Sequence, residues 1–255
     1  MIITAFFIFG ACIGSFLNVC ILRIPRGGSI VHPPSSCPSC GERIPFYCNL
    51  PVISYLFLRG RCRDCGTSIS LRYPMVEILT ALFSAALYIR FGISPEAALW
   101  FVFICSLIVI SFIDLDHGII PDMLSLPGIP LFMIFSVLVH RLTFIESLTG
   151  ILAGGGILYL VSLIYYLFKR IEGMGGGDIK LLAMIGAAVG LEGVIFTIFT
   201  GSLLGTLAGI TLMIYGRFID TKLKIPFGPF LSAGAVLYIF FGDLIIRWYI
   251  YGAAM

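Results

Sequence analysis

The sequence predicts an all-α polytopic membrane protein of about eight transmembrane helices with a small cysteine-bearing insertion. Three observations lead there. Of 255 residues, 59% are hydrophobic and 11% charged, with a mean hydropathy of +1.08, whereas a soluble domain carries about 25% charged residues. Apolar runs recur between loop signals, each near the roughly 20 residues that a helix needs to cross a bilayer. Two CxxC pairs stand in the one polar stretch between the first and second runs. No polar stretch is long enough for a separate large soluble domain, and a net charge of +3 gives no ground for a nucleic-acid partner.

The expected spans lie near 1–22, 74–92, 96–113, 121–140, 144–168, 178–190, 191–216 and 226–250. Only Gly190, Leu191 and Glu192 mark the join between the sixth and seventh. The first run has no basic residue before Arg23, so it lacks the charged n-region of a signal peptide and reads as a membrane helix. The chain thus divides into a first transmembrane helix (1–22), a cytoplasmic loop (23–73) and a multi-helix membrane domain (74–255). Gly150 and Gly154, and Gly201, Gly205 and Gly209, recur every four residues, the spacing that lets membrane helices approach closely.

Basic residues set the orientation. With the amino terminus outside, Arg23, Arg26, Arg43, Arg59, Arg61, Arg63 and Arg72 fall in the first cytoplasmic loop. Lys169, Arg170, Lys180, Arg217, Lys222 and Lys224 fall in or beside later ones. Only Arg90, Arg141 and Arg247 of the sixteen lie outside, as the positive-inside rule requires. On this map Asp114, Asp116 and Asp122 (FIDLDHGIIPD) lie between the third and fourth spans, and Asp178 (GGGD) between the fifth and sixth. Both turns face the cytoplasm. Acids this close to hydrocarbon are costly to desolvate and point to function. Glu96, Glu146 and Glu192 read as helix caps at the outer ends, and Asp243 has no account beyond a buried polar contact.

Paired carboxylates suit hydrolysis. One takes a proton from water while the other gives a proton to a carbonyl or leaving amine, and two close acids do not both ionise cheaply. Asp178 is expected to open a helix, where the dipole favours its charge, and Asp114 to close one, where it does not. Asp178 is therefore read as the ionised base and Asp114 as initially protonated. Asp122 follows Pro121 and reads as an ordinary helix start, and Asp116 as a solvated loop residue.

Cys37-Pro-Ser-Cys40 and Cys62-Arg-Asp-Cys65 are two CxxC pairs with twenty-one residues between them. Four thiolates at such spacing close a tetrahedral zinc site, and a reducing cytoplasm argues against disulfides. The insertion therefore reads as a small zinc-binding cytoplasmic loop domain, its metal structural. Cys48 reads as a spare or packing thiol, and Cys12, Cys20 and Cys105 as core residues.

GGGD at 175–178 followed by Ile179 and Lys180, together with FIDLDHGIIPD, resembles the GxGD-type membrane aspartyl proteases and, among them, the prepilin peptidases. GSFLNV at 14–19, CPSC, CRDC, RYPMVE at 72–77 and PFGPF at 226–230 fit the same family along nearly the whole chain. The resemblance implies catalysis by Asp114 and Asp178, removal of the leader from type IV prepilin or pseudopilin precursors, and a place in the bacterial inner membrane among its lipids. Gly175, Gly176 and Gly177 would let backbone lie against an extended substrate beside Asp178. Lys180 would tune that acid, support the loop or meet lipid phosphates. The resemblance further implies methylation of the new amino terminus by S-adenosylmethionine. No GxGxxG follows a predicted strand, and Asn18, Arg23 and Glu77 read equally as cofactor contacts or as caps and structural pairs. The rival reading is a transporter that uses the acids as a proton or ion pathway.

Overall fold

A computed structural model of the chain describes residues 1–37, 39–45, 50–170, 175–214 and 225–252, without the side chains of 243 and 246–252. The readings of Cys48, Arg217, Lys222, Lys224, Asp243 and Arg247 therefore lie outside the described residues. The described chain is helical. Its elements are α1 (Ile2–Arg23), a 3-10 turn (Ile24–Arg26), α2 (Ile53–Phe57), α3 (Arg72–Phe91), α4 (Pro95–His117), α5 (Asp122–Leu138), α6 (Phe144–Lys169), α7 (Gly176–Ile214) and α8 (Gly228–Gly252). Five of these, α1, α3, α4, α6 and α7, are long and apolar enough to cross a membrane, and α5 and Gly228–Gly242 are shorter apolar helices.

Each expected span coincides with a helix or half of one. The sixth and seventh are the two halves of α7, whose 39 residues would make a rod of about 58 Å, nearly twice the hydrocarbon thickness. Gly190 breaks that rod with φ 73° and ψ −174°, a conformation open essentially to glycine alone. A Cβ built on Gly186 would lie 3.0 Å from Val194 Cγ2, although eight residues of straight helix span about 12 Å. The halves therefore fold back on one another as a hairpin. Two buried serines serve the last turn before the break: Ser147 Oγ donates to Ala187 O at 2.8 Å, and Ser136 Oγ to Ala188 O at 3.3 Å. These carbonyls belong to a helix end, which needs outside donors.

The chain forms two compact units, Met1–Val109 and Ile110–Met255. In the first, α1 packs on α3 through glycines. A Cβ on Gly10 would lie 2.6 Å from Ser84 Cβ, and one on Gly14 would lie 2.7 Å from Glu77 Cα. Ser84 Oγ uses the same closeness to donate to Phe6 O at 2.8 Å. In the second unit, α7 packs against α5, α6 and α8. Gly150 and Gly154 meet the α7 backbone at Gly186 and Leu182, as their spacing predicts, and Gly201 meets α8 backbone at Phe230. Gly205 and Gly209 make only ordinary side-chain contacts, so the close approach covers one of the three glycines in that row.

Of Glu96, Glu146 and Glu192, the acids read as caps, Glu146 forms one, whereas the Ala97 N–H in the first turn of α4 donates to Ser94 Oγ and not to Glu96. Thr143 and Glu146 form a reciprocal capping box at the start of α6, with Glu146 Oε2 accepting from Thr143 N at 2.7 Å. Glu96 lies in the first turn of α4 and accepts from Trp100 Nε1 at 3.3 Å. Because Gly154 touches backbone while Gly156 faces open space, Gly154→Leu should lose about 1–3 kcal/mol of stability by overpacking. Gly156→Leu should lose little. Thermal unfolding of the two variants in the same detergent checks this.

Candidate active site

The second unit assembles its acids at helix ends. α4 runs through His117, beyond the expected 113, so Asp114 and Asp116 lie in its last turn and Asp116 is an exposed helical residue, not a loop residue. Gly118 ends the helix with φ 65° and donates its N–H to Asp114 O at 2.8 Å, a left-handed stop that favours glycine. Asp178 lies in the first turn of α7 and its N–H donates to Gly175 O at 3.2 Å. Asp122 opens α5 behind Pro121, as proline at a helix entrance predicts.

Asp114 is 5% exposed, and its partner is backbone. Gly228, the first residue of α8, donates its N–H to Asp114 Oδ2 at 3.0 Å. That N–H is one of the orphan donors at a helix start, so the carboxyl closes α4 and caps α8 together. A Cβ on Gly228 would lie 2.7 Å from the same oxygen; the approach requires glycine. Asp178 is half-buried and within electrostatic reach of Asp114. Ile120 fills the space beside them. A Cβ built on Gly177 would lie 2.8 Å from Ile120 Cβ, and one on Gly228 3.3 Å from Ile120 Cδ1. PFGPF was legible in the sequence without a role; its glycine is the missing contact. Ile120 carries no chemical signal, and only packing reveals it.

The three glycines before Asp178 differ. Gly177 is held tight by Ile120, whereas Gly175 and Gly176 are exposed with room for a side chain. Neither Gly176 nor Gly177 takes a positive φ, so close approach and open backbone, not unusual angles, distinguish them. Lys180 does not reach Asp178 in any bond shown. Its Nζ donates to both Asp122 oxygens, at 2.7 and 2.9 Å.

The first unit holds the cysteine cluster. Offset by 25 residues, the two CxxC segments repeat one another in backbone detail. Cys37 N donates to Glu42 O as Cys62 N does to Thr67 O, and Gly41 N to Cys37 O as Gly66 N to Cys62 O. Isolated bridges pair Ser36 with Arg43 and Arg61 with Ser68, and Gly41 and Gly66 share φ near 70°. The four sulfurs lie within 4.8 Å of one another, with Cys37 and Cys65 Sγ 3.8 Å apart. Zinc–sulfur bonds of about 2.3 Å in a tetrahedron require about that spacing, so the cluster could hold a metal ion.

The thiols are tuned unequally. The Thr67 hydroxyl, then its N–H, lowers Cys65 to about 6, and the N–H groups of Cys40 and Ser39 lower Cys37. The Glu42 N–H draws Cys40 down, but the neighbouring sulfur of Cys37, burial and Cys65 push it up to about 12.

Asn18, Arg23 and Glu77 each make at least one bond within the fold, while the Oδ1 of buried Asn18 has no partner among the described residues. Asn18 Nδ2 donates to Tyr73 O at 3.0 Å, and Arg23 donates to Ser29 O and Pro33 O at 2.9 and 2.7 Å. Buried Glu77 accepts from Val52 N at 2.7 Å. Elemental analysis should find about one equivalent of a thiophilic metal per chain, and Cys37→Ser and Cys62→Ser should each lose it.

The sequence matches known protein families. Residues 8–91 match the family described as the bacterial peptidase A24 N-terminal domain, and residues 101–210 match the type IV leader peptidase family. The chain is 36% identical to a prepilin leader peptidase/N-methyltransferase of Aeromonas hydrophila over 96% of its own length and 92% of the relative's. It is 37% identical to the protein so named in Bacillus subtilis over 96% of both chains. It is 35% identical to that of Pseudomonas aeruginosa over 94% of its length and 91% of the relative's. No solved structure matches the chain.

Proposed function

Because the chain belongs to the type IV leader peptidase family, we propose that it is a membrane aspartyl endopeptidase that removes the leader of type IV prepilin-like precursors. The single observation that carries the assignment of residues is Asp114, buried, held by the Gly228 N–H and in electrostatic contact with Asp178. In the reaction one carboxylate takes a proton from the attacking water, and the other gives its proton to the peptide carbonyl oxygen. Collapse of the tetrahedral intermediate then returns a proton to the leaving amine, so the pair carries one proton throughout. The C-terminus of α4 by itself favours the proton on Asp114. The N-terminus of α8 now faces the same carboxyl, so the two dipoles offset each other there, and the proton belongs to the pair.

The substrate's apolar helix would lie in the membrane while its leader stays with the dyad. The exposed backbone of Gly175 and Gly176 is available to an extended strand beside Asp178. We place the dyad at the cytoplasmic face of the bacterial inner membrane, amino terminus outside, on the distribution of basic residues. The sulfur cluster would hold structural zinc. It has no role in the peptide cut. Methylation of the new amino terminus, with S-adenosylmethionine supplying the methyl group, is carried by the relatives' names. Arg23 and Glu77 are committed to structural bonds, and buried Asn18 holds Tyr73 O through Nδ2 while its Oδ1 has no partner among the described residues; one acceptor oxygen does not by itself make a site for that cofactor. The transporter reading has no observation in its favour.

Purified protein with a synthetic precursor tests the dyad. Asp114→Asn and Asp178→Asn should each lower leader removal by about 10³-fold or more, the scale of lost acid–base catalysis. Intact cleavage in both would overturn the assignment. Gly228→Ala, which pushes a methyl group onto the Asp114 oxygen, should slow the cut by about 10- to 100-fold through misplacement. Mass spectrometry of the product reports both the cut position and any added methyl group.

A further inference from the structure

The Lys180–Asp122 ion pair has no part in the mechanism above, yet it joins the two segments that carry the acids. Lys180 lies two residues beyond Asp178 in α7, and Asp122 lies at the start of α5, eight residues beyond Asp114. The Nζ bonds both carboxylate oxygens, at 2.7 and 2.9 Å. Between Asp114 and Asp122 runs the short turn that contains Gly118 and Ile120. Ile120 is half-buried against Gly177 on one side and Gly228 on the other. Gly177 precedes Asp178, and Gly228 holds Asp114. Any shift of this turn away from α7 therefore moves Ile120 out of its seat and loosens the spacing of the two acids.

We propose that Lys180 and Asp122 form a positioning clamp that pins the α4–α5 turn to the start of α7 and so keeps Asp114 and Asp178 in working register. Asp122 is then a positioning residue and not a third acid of the reaction. The side chains of Lys180 and Asp122 are 37% and 58% exposed, and exposed pairs of this kind contribute little to global stability. Their effect falls on geometry. A displacement near 1 Å at reacting groups costs about 100-fold in rate. The clamp's two ends are charges, so its function depends on opposite sign across the gap and not on which residue bears which sign.

This inference rests on the aspartyl dyad, and the test separates the two. Leader cleavage is measured at several precursor concentrations for Lys180→Gln, Asp122→Asn, the charge exchange Lys180→Asp with Asp122→Lys, and Asp114→Asn as reference. Each single neutralisation should lower kcat about tenfold or more while KM stays within about twofold, and the exchange should recover most of that loss. Lys180→Arg, which keeps the charge, should lie near the parent and guards against a general folding defect. Native kcat in the single variants, or an exchange no better than either single change, would overturn the clamp. Cleavage that survives Asp114→Asn would instead overturn the dyad, whatever the clamp variants do.

Discussion

A carboxyl group enclosed by apolar helices has to be met by donors, and the donor available to Asp114 is the backbone at the head of α8. Much of the second unit is arranged around that one contact. It demands glycine at 228, because a Cβ would occupy the position of the oxygen. It requires α4 to end close by, which Gly118 arranges with a left-handed residue and a bond back to Asp114's own carbonyl. It brings the starts of α5, α7 and α8 to the end of α4. Helix starts present unbonded N–H groups, so an acid gathers naturally among them.

The same economy of backbone contact holds the helices together. Side chains in lipid gain little by leaving one apolar medium for another, so close backbone approach and interhelical hydrogen bonds carry the packing. Gly10 and Gly14 on α1, and Gly150 and Gly154 on α6, make that approach, and buried serines exploit it by donating to carbonyls of the neighbouring helix. The first unit solves a different problem outside its helices. Among the described residues its insertion buries little apolar surface, and two copies of one turn bring their sulfurs close together so that a metal can close them.

The helical class and the positions of all eight apolar segments were legible in the sequence, because lipid imposes a length and a composition that soluble folding does not. The break at Gly190 was marked by three residues, and the structure places it there. Asp114 and Asp178 drew attention by position, since acids at hydrocarbon margins are rare, but position left Asp116 and Asp122 beside Asp114, and the family resemblance of FIDLDHGIIPD and GGGD selected the pair. Gly228, Ile120 and the partner of Lys180 were not. Each depends on which helix ends meet in space, and no local pattern encodes that meeting. The four-residue glycine spacing predicted Gly150, Gly154 and Gly201 correctly but not Gly205 and Gly209, because periodicity identifies a face and not how near its neighbour comes. The 25-residue correspondence of the two cysteine turns became plain only through their shared backbone bonds.

The hairpin at Gly190 has a consequence for the surrounding bilayer. Residues 176 to 189 rise only about 21 Å as a helix, less than the roughly 30 Å of a typical hydrocarbon core. The 17 residues of α5 rise about 26 Å. Residues 181 to 190 are buried among neighbouring helices, so the mismatch falls on α5, whose exposed Leu131, Ile134, Phe135 and Leu138 would meet lipid over less than the full hydrocarbon thickness, a shortfall that local thinning accommodates. Around the second unit the sheet of acyl chains would dip, with exposed Glu192 just past the bend drawing headgroups and water toward it. A passing apolar segment would find a shallower barrier beside α5 than beside a full-length span.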